Sequence, residues 1–317
     1  MTQRMIRWAT LLFFFLAARL AVAGELELRF LDVGQGDSIL VRNEGKVALI
    51  DTGPSNAIVD TLKRLGVTAL DLLIISHNHV DHLGGADALL AEIPVRAFMD
   101  NGFPAKTKIQ EVILKLVDAR KIPYLEAAPR SISMGDARLR IVPPMVSPRA
   151  DDQNDQSVGV LVERGSFKAM LPGDAEVREL SAWMKAGFVP TVDVLKAAHH
   201  GSQNGVSPAW IAALKPKVVV ISVAGVNDYG HPHAEALRAY EADGAKILRT
   251  DRSGDVVFWV QADGTYRLEE AGRASPAPAA APPMCCRTCK TSKACGDGCI
   301  PKDRPCSKPP GCACNGS

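Results

Sequence analysis

The stretch Ser76-His77-Asn78-His79-Val80-Asp81-His82-Leu83-Gly84-Gly85 constrains this chain more than any other, because it follows directly on the apolar run Leu70-Asp71-Leu72-Leu73-Ile74-Ile75. A short apolar run that stops at a burst of imidazoles reads as a buried strand ending in a loop. Residues two apart in an extended loop share a side. His77 and His79 can therefore offer ring nitrogens to one ion, while Asp81 and His82 turn toward a second. A polar surface loop explains a lone histidine but not four potential ligands between positions 77 and 82. Gly84 and Gly85 allow a tight turn into a helix over Ala86 to Glu92.

A hydrolytic metal site draws ligands from several strand ends. Asp174 follows the strand pattern Phe167 to Leu171 and precedes the helical pattern Ala175 to Lys185. His199 and His200 close the next strand pattern, Val192 to Ala198. All seven histidines fall in three clusters at such ends, where random surface histidines would scatter. We assign His77, His79 and Asp174 to one metal, and Asp81, His82, Asp174 and one of His199 or His200 to the other. We take His200 as the ligand, which leaves His199 facing the substrate as a proton donor. Two divalent cations about 3.5–4 Å apart can lower the pKa of a shared water toward about 7 and clamp the entering and leaving oxygens of a phosphoester. The expected cofactors are two divalent ions, zinc ahead of manganese.

His77-Asn78-His79-Val80-Asp81-His82 resembles the HxHxDH signature of the metallo-β-lactamase superfamily. That resemblance implies an α+β fold, an αββα sandwich of two face-to-face sheets with helices outside. A longer motif series is similar to the C-terminal domain of ComEC-type DNA-uptake proteins. It comprises Leu31 to Asp37, Leu171-Pro172-Gly173-Asp174, Ala198-His199-His200-Gly201-Ser202, Tyr229-Gly230-His231-Pro232-His233 and Thr250-Asp251 with Ser253-Gly254. The match runs in order from about residue 25 to 260. It implies a metal-dependent nuclease acting on DNA, with His231 and His233 near the substrate and His233 contributing to turnover. Many superfamily members supply a third histidine to the first metal, and this chain has none between His82 and His199. Asn154, Asp155 and Ser157 stand in that region, so the first metal keeps an open position that manganese would suit. ComEC-type domains often carry Asp where this chain has His79.

Around these ligands, Asp32, Gln35, Asp37, Asp51, Asn154 and Ser202 are candidates for substrate contact or for support of the ligands. Asp in tight turns bonds nearby amides, so Asp37 and Asp51 read as supports. Lys196 reads as an exposed strand residue or a phosphate contact. The four tryptophans and few other aromatics suggest no stacking platform of the kind single-strand binders use.

Outside this region the chain changes character. Arg4 and Arg7 precede an apolar run from Trp8 to Leu16 and then Ala21-Val22-Ala23, the order of a secretory signal over residues 1–23. The run is shorter than the ~20 residues a membrane span needs. Export to the periplasm or exterior is expected, with no transmembrane segment in the mature chain. Residues 24–271 form the hydrolase domain and 272–283 a Pro/Ala linker. All eight cysteines lie between Cys285 and Cys314, which excludes a cysteine nucleophile in the main body. In an exported chain they imply a disulfide-rich module over 284–317. Its six Lys and Arg against two Asp leave it basic enough to touch a surface or partner. The net charge of the whole chain, +2, is too small to argue for a nucleic-acid partner by itself.

The leading reading is an exported binuclear phosphodiesterase or nuclease. A phosphorylcholine ester or other small or envelope phosphoester is the alternative substrate. A surface-binding module with a secondary hydrolase site is the alternative class.

Overall fold

The structure, a computed structural model, describes residues 24–104, 107–147, 153–272 and, in the tail, 287–289, 292–295, 298–304 and 313–315. Segment 1–23, read as a signal, and nearly all of the Pro/Ala linker lie outside the described residues.

Two sheets form the centre. In the first, β1 (Leu26–Phe30), β2 (Ile39–Asn43), β3 (Lys46–Ile50), β4 (Leu72–Ile74), β5 (Phe98–Met99) and β6 (Tyr124–Leu125) lie side by side in chain order. The second holds β7 (Arg130–Met134), β8 (Ala137–Val142), β9 (Gly159–Arg164), β10 (Phe167–Leu171), β11 (Val194–Lys196), β12 (Val218–Ile221) and β13 (Lys246–Arg249). The chain then returns to the first sheet, where β14 (Val256–Val260) and β15 (Tyr266–Glu270) extend it beyond β1.

Burial on both faces explains why these strands read as near-continuous apolar runs. Leu72 and Ile74 of β4 join the core between the sheets, with Leu28, Phe30, Val160, Leu171 and Phe258. Leu73, between them, points the other way onto α1 (Ala57–Arg64), α3 (Ala86–Glu92) and α4 (Lys108–Ala119). On the second sheet Leu161, Leu195 and Val219 pack under α5 (Val177–Lys185), α6 (Pro208–Leu214) and α7 (Ala234–Ala242). Helix, sheet, sheet and helix make four layers, the αββα sandwich.

One local expectation fails and a second is met in another arrangement. The segment Leu31 to Val41 suggests two strands about a turn, but residues 31–38 are a loop. Its backbone is spent on holding the histidine loop, with Asp37 N donating to Asp81 O at 3.1 Å. Ala245 to Val260 reads as a closing pair of strands around Ser253-Gly254, and both strands form, but in different sheets: β13 pairs in parallel with β12 and β14 antiparallel with β1. The short helix α8 (Thr250–Ser253) carries the chain from one sheet to the other, anchored by Thr250 Oγ1, which accepts from Val223 N at 3.0 Å. In the tail, Cys289 pairs with Cys299 and Cys295 is also disulfide-bonded.

Candidate metal centre

The carboxyl ends of the parallel strands β3 and β4 in one sheet, and β10, β11 and β12 in the other, converge on one edge of the sandwich. In open α/β sheets that end is where ligands bind. Just past β3 comes Asp51, and past β4 come His77, His79, Asp81 and His82, with the four-residue helix α2 (Val80–Leu83) inside that loop. Asp174 follows β10, and His199 and His200 follow β11.

Close backbone approach locks the loops of the site together, within the first sheet's end and across to the second. A Cβ on Gly36, at φ +137°, would stand 2.2 Å from Asp81 O, and one on Gly173, at φ +58°, would stand 2.9 Å from Ser76 Cβ. Asp51, His199 and His200 take left-handed φ values of 62°, 49° and 52°. Such strain in non-glycine residues persists only where the surroundings hold it, and it concentrates at functional sites.

Hydrogen bonds orient the imidazoles. His82 Nδ1 donates to Asp51 Oδ2 at 2.8 Å, and Asp51 also accepts from Ser76 N at 2.6 Å and Ser76 Oγ at 2.7 Å. His200 Nδ1 donates to Ser222 O at 2.8 Å. Both rings therefore turn Nε2 inward, 3.3 Å from each other and each 3.2 Å from Asp174 Oδ2. Asp81 Oδ2 completes the set, 3.3 Å from His200 Nε2 and 3.9 Å from His82 Nε2. Beside it, His77 Nε2 and His79 Nδ1 lie 3.0 Å apart.

Four acceptor atoms around one point, with the outer nitrogens already committed as donors, fit a divalent cation, and two imidazoles with two carboxylates suit zinc or manganese. The residues thus fit the implied metal at Asp81, His82, Asp174 and His200. For a second ion His77 and His79 supply two nitrogens. Among the described residues no Asp174 oxygen comes within 4.0 Å of either ring, so that half of the site is the less closed.

The carboxylates around the cluster favour positive charge there, carried by protons on His82 and His200 that a bound cation would displace. Burial, and then repulsion from His82, pushes the His77 imidazole well below its usual range, so it stays neutral. Burial works against charge on His82 and His200 too. There the pull of Asp174 and its neighbours wins, holding His82 well above its ordinary value and raising His200 to about 9. Burial would lift the Asp174 carboxyl, yet His200, His82 and Lys196 hold it well below the usual range.

Lys196 is neither an exposed strand residue nor a phosphate contact. It is wholly buried, with Nζ 2.5 Å from Asp37 Oδ2 and 3.2 Å from Asp174 Oδ1, and it donates to Gly173 O at 2.9 Å. One oxygen of Asp174 is thereby committed to the ammonium and the other to the imidazoles. The signal was a lysine inside Val194-Leu195-Lys196-Ala197-Ala198, a run buried on both faces, where a charge requires a buried partner. Ser76, Ser222 and Glu176 also escaped the sequence reading. Ser222 acts through its carbonyl, which no side-chain pattern reports.

Above the cluster lies a cavity of about 690 Å³. Gln35, His79, Asp81, Asn154, Asp174, His199, His200 and His231 reach its wall, together with Tyr229. His199 Nδ1 is 3.2 Å from Glu176 Oε1, and its Nε2 is 3.4 Å from Asn154 Nδ2. The other candidates are not among the residues that line the cavity. Asp32 Oδ1 accepts from Gly34 N within its own loop, Ser202 Oγ accepts from Asn204 N, and His233 Nδ1 accepts from Gln203 N. Asp37 is held by Lys196 and Asp51 by Ser76 and His82.

Residues 31–225 match the metallo-beta-lactamase superfamily, and the chain belongs to that family. Its class is that of the metal-dependent hydrolases. Among curated proteins it is similar to ComE operon protein 3 of Bacillus subtilis, 28% identical over 261 residues that cover 75% of this chain and 33% of that protein. Competence protein ComA of Neisseria gonorrhoeae is 32% identical over 234 residues, 72% of this chain and 31% of that protein. The chain thus spans about a third of the length of these relatives. The metallo-beta-lactamase fold protein YhfI from Bacillus subtilis shares the fold at a TM-score of 0.51 and 11% identity, covering 77% of this chain and 100% of that one. Among the described residues no helix is long and apolar enough to cross a membrane.

Proposed function

We propose that this protein is a metal-dependent phosphodiesterase that cuts nucleic acid, with DNA as substrate, outside the cytoplasm. The observation that carries the reading is the inward-turned acceptor set of Asp81, His82, Asp174 and His200 at the floor of an open cavity. Similarity to competence proteins supports DNA as the phosphodiester. The Cys289–Cys299 disulfide supports an oxidising compartment.

Divalent cations held by His77, His79, Asp81, His82, Asp174 and His200 would supply Lewis acidity to a phosphoryl oxygen and acidify water. The chain's own residues do the rest. Asp51 and Ser222 O fix the tautomers and directions of His82 and His200. Lys196 holds Asp174 still. His199 stands on the cavity wall with Nδ1 3.2 Å from Glu176 Oε1, where its imidazolium form can give a proton to the leaving alkoxide.

Purified protein, stripped of metal and reloaded with zinc or manganese, should cleave single- or double-stranded DNA, with bis(p-nitrophenyl) phosphate as a parallel substrate. Cleavage that vanishes in Asp174→Ala supports the reading. Activity on the small diester without any on DNA moves the assignment to small or envelope phosphoesters.

A further inference from the structure

We infer that Tyr229 and His231 form a shelf on which one unpaired nucleobase of the substrate stacks, so that the cavity selects single-stranded over duplex nucleic acid. The inference rests on the phosphodiesterase reading and names its substrate class.

Tyr229 sits in the loop between β12 and α7, 63% exposed and on the cavity wall. One face of its ring lies against His231, with centroids 5.5 Å apart and planes 21° from parallel. Being mostly exposed, the ring keeps surface open to a ligand. His231 is buried and packs edge-on against His199, 5.3 Å between centroids, which ties the shelf to the proton-donating wall of the site.

The loop is built to hold this ring out. Asn227 Oδ1 accepts from Tyr229 N at 3.2 Å and from His231 N at 3.0 Å, while its Nδ2 donates to Ala224 O at 3.1 Å and His231 O at 2.8 Å. One side chain thus fastens four backbone groups around an aromatic that its own core does not use. Trp183, Trp210 and Tyr240, in the same half, are by contrast fully buried.

Charge decides what the shelf is for. Among the described residues, none that lines the cavity is Lys or Arg. Phosphate capture by counterion release needs such residues, so a polyanion gains little from the wall itself. Affinity beyond the metal must come from the part of the substrate that is not phosphate, and an exposed Tyr offers base stacking. The cavity, about 690 Å³, has room for more than a phosphodiester. Bases in a duplex have both faces covered by their neighbours and cannot use the shelf.

The test is binding of a short single-stranded oligonucleotide with phosphorothioate linkages and a central 2-aminopurine, followed by fluorescence quenching and anisotropy on zinc-loaded and on metal-stripped protein. Tyr229→Ala should weaken binding roughly 5- to 100-fold and abolish the quench, with Tyr229→Phe restoring both. The duplex and an abasic single strand should bind as weakly as the Ala variant does, and the dependence on salt should be shallow. Unchanged affinity in Tyr229→Ala, an abasic strand bound as tightly as the parent, or a complex without quench overturns the shelf. Competition by phosphorylcholine without any quench overturns it in favour of a cationic headgroup. The two readings fail separately. An oligonucleotide that stacks but is never cut removes the nuclease and leaves the shelf, while DNA cut equally well by Tyr229→Ala does the reverse.

Discussion

Replacing Lys196 by Met removes one positive charge from a fully buried site and leaves a side chain of similar length. In the wild type the ammonium touches Asp37 Oδ2, Asp174 Oδ1 and Gly173 O, and both carboxylates are at most 2% exposed. Burial alone would lower the pKa of this lysine, but Asp37 and Asp174 raise it above its ordinary value, so the charge is present at neutral pH. Breaking a buried pair by removing one partner costs ~3–5 kcal/mol, because an uncompensated charge stays behind. For a domain of this size each kcal/mol lowers Tm by roughly 2–4 °C, so metal-stripped Lys196→Met should melt roughly 6–20 °C below wild type. A cation held by Asp81, His82, Asp174 and His200 would supply positive charge beside one of the two carboxylates that lose the ammonium. Zinc should therefore recover the Asp174 share of the loss and leave the Asp37 share. Urea and thermal unfolding of both proteins, with chelator and with zinc, measure the two shares. A loss below ~1 kcal/mol in the stripped protein, or the same loss with and without zinc, would refute the account.

Asp51→Asn keeps the shape but weakens the acceptor at His82 Nδ1, and zinc affinity measured by competition with a chromophoric chelator should fall roughly 10- to 100-fold. Gly36→Ala forces a Cβ to 2.2 Å from Asp81 O at φ +137°, and chemical denaturation should show a loss of roughly 2–4 kcal/mol, with zinc binding impaired. Glu179 anchors the loop at Met145 and Val146 through their backbone N–H groups, at 2.7 and 3.1 Å, and burial raises its pKa from 4.5 to about 7. Because the folded value is the higher, its contribution to stability is complete below about pH 4.5 and is lost as pH rises through about 7, up to ~3 kcal/mol. Glu179→Gln should flatten stability between pH 5 and 8, and an unchanged slope in urea titrations would assign that pH dependence elsewhere.

The parts of the site legible in the sequence are those carried by residue type and local spacing. His77, His79, Asp81 and His82 crowd one loop, and Asp174 and His200 each stand just past an apolar run, so strand ends could be matched to ligands without knowing the sheet order. What escaped depends on neighbours distant in sequence. Lys196 looks exposable until β11 is seen buried between β10 and β12. Residues 31–38 look like strand until the Asp37 amide is found holding Asp81. The stacking of Tyr229 on His231 needs the turn that Asn227 fastens, and the pair of strands around Ser253-Gly254 gave no sign that β13 would pair with β12 in one sheet and β14 with β1 in the other.

This distribution has an energetic consequence for folding. His82 and Asp81 arrive from the first sheet and Asp174 and His200 from the second, so the acceptor set exists only when the two sheets have packed against each other. Before packing, each half carries at most two of the four ligands, and its affinity for a cation is that of a pair. Bound metal must therefore favour the assembled sandwich, by RT ln(1 + [M]/Kd) for the native site. Without it, the left-handed backbone at His199 and His200 and the buried charges around Asp174 remain as costs that the apolar core between the sheets has to offset alone.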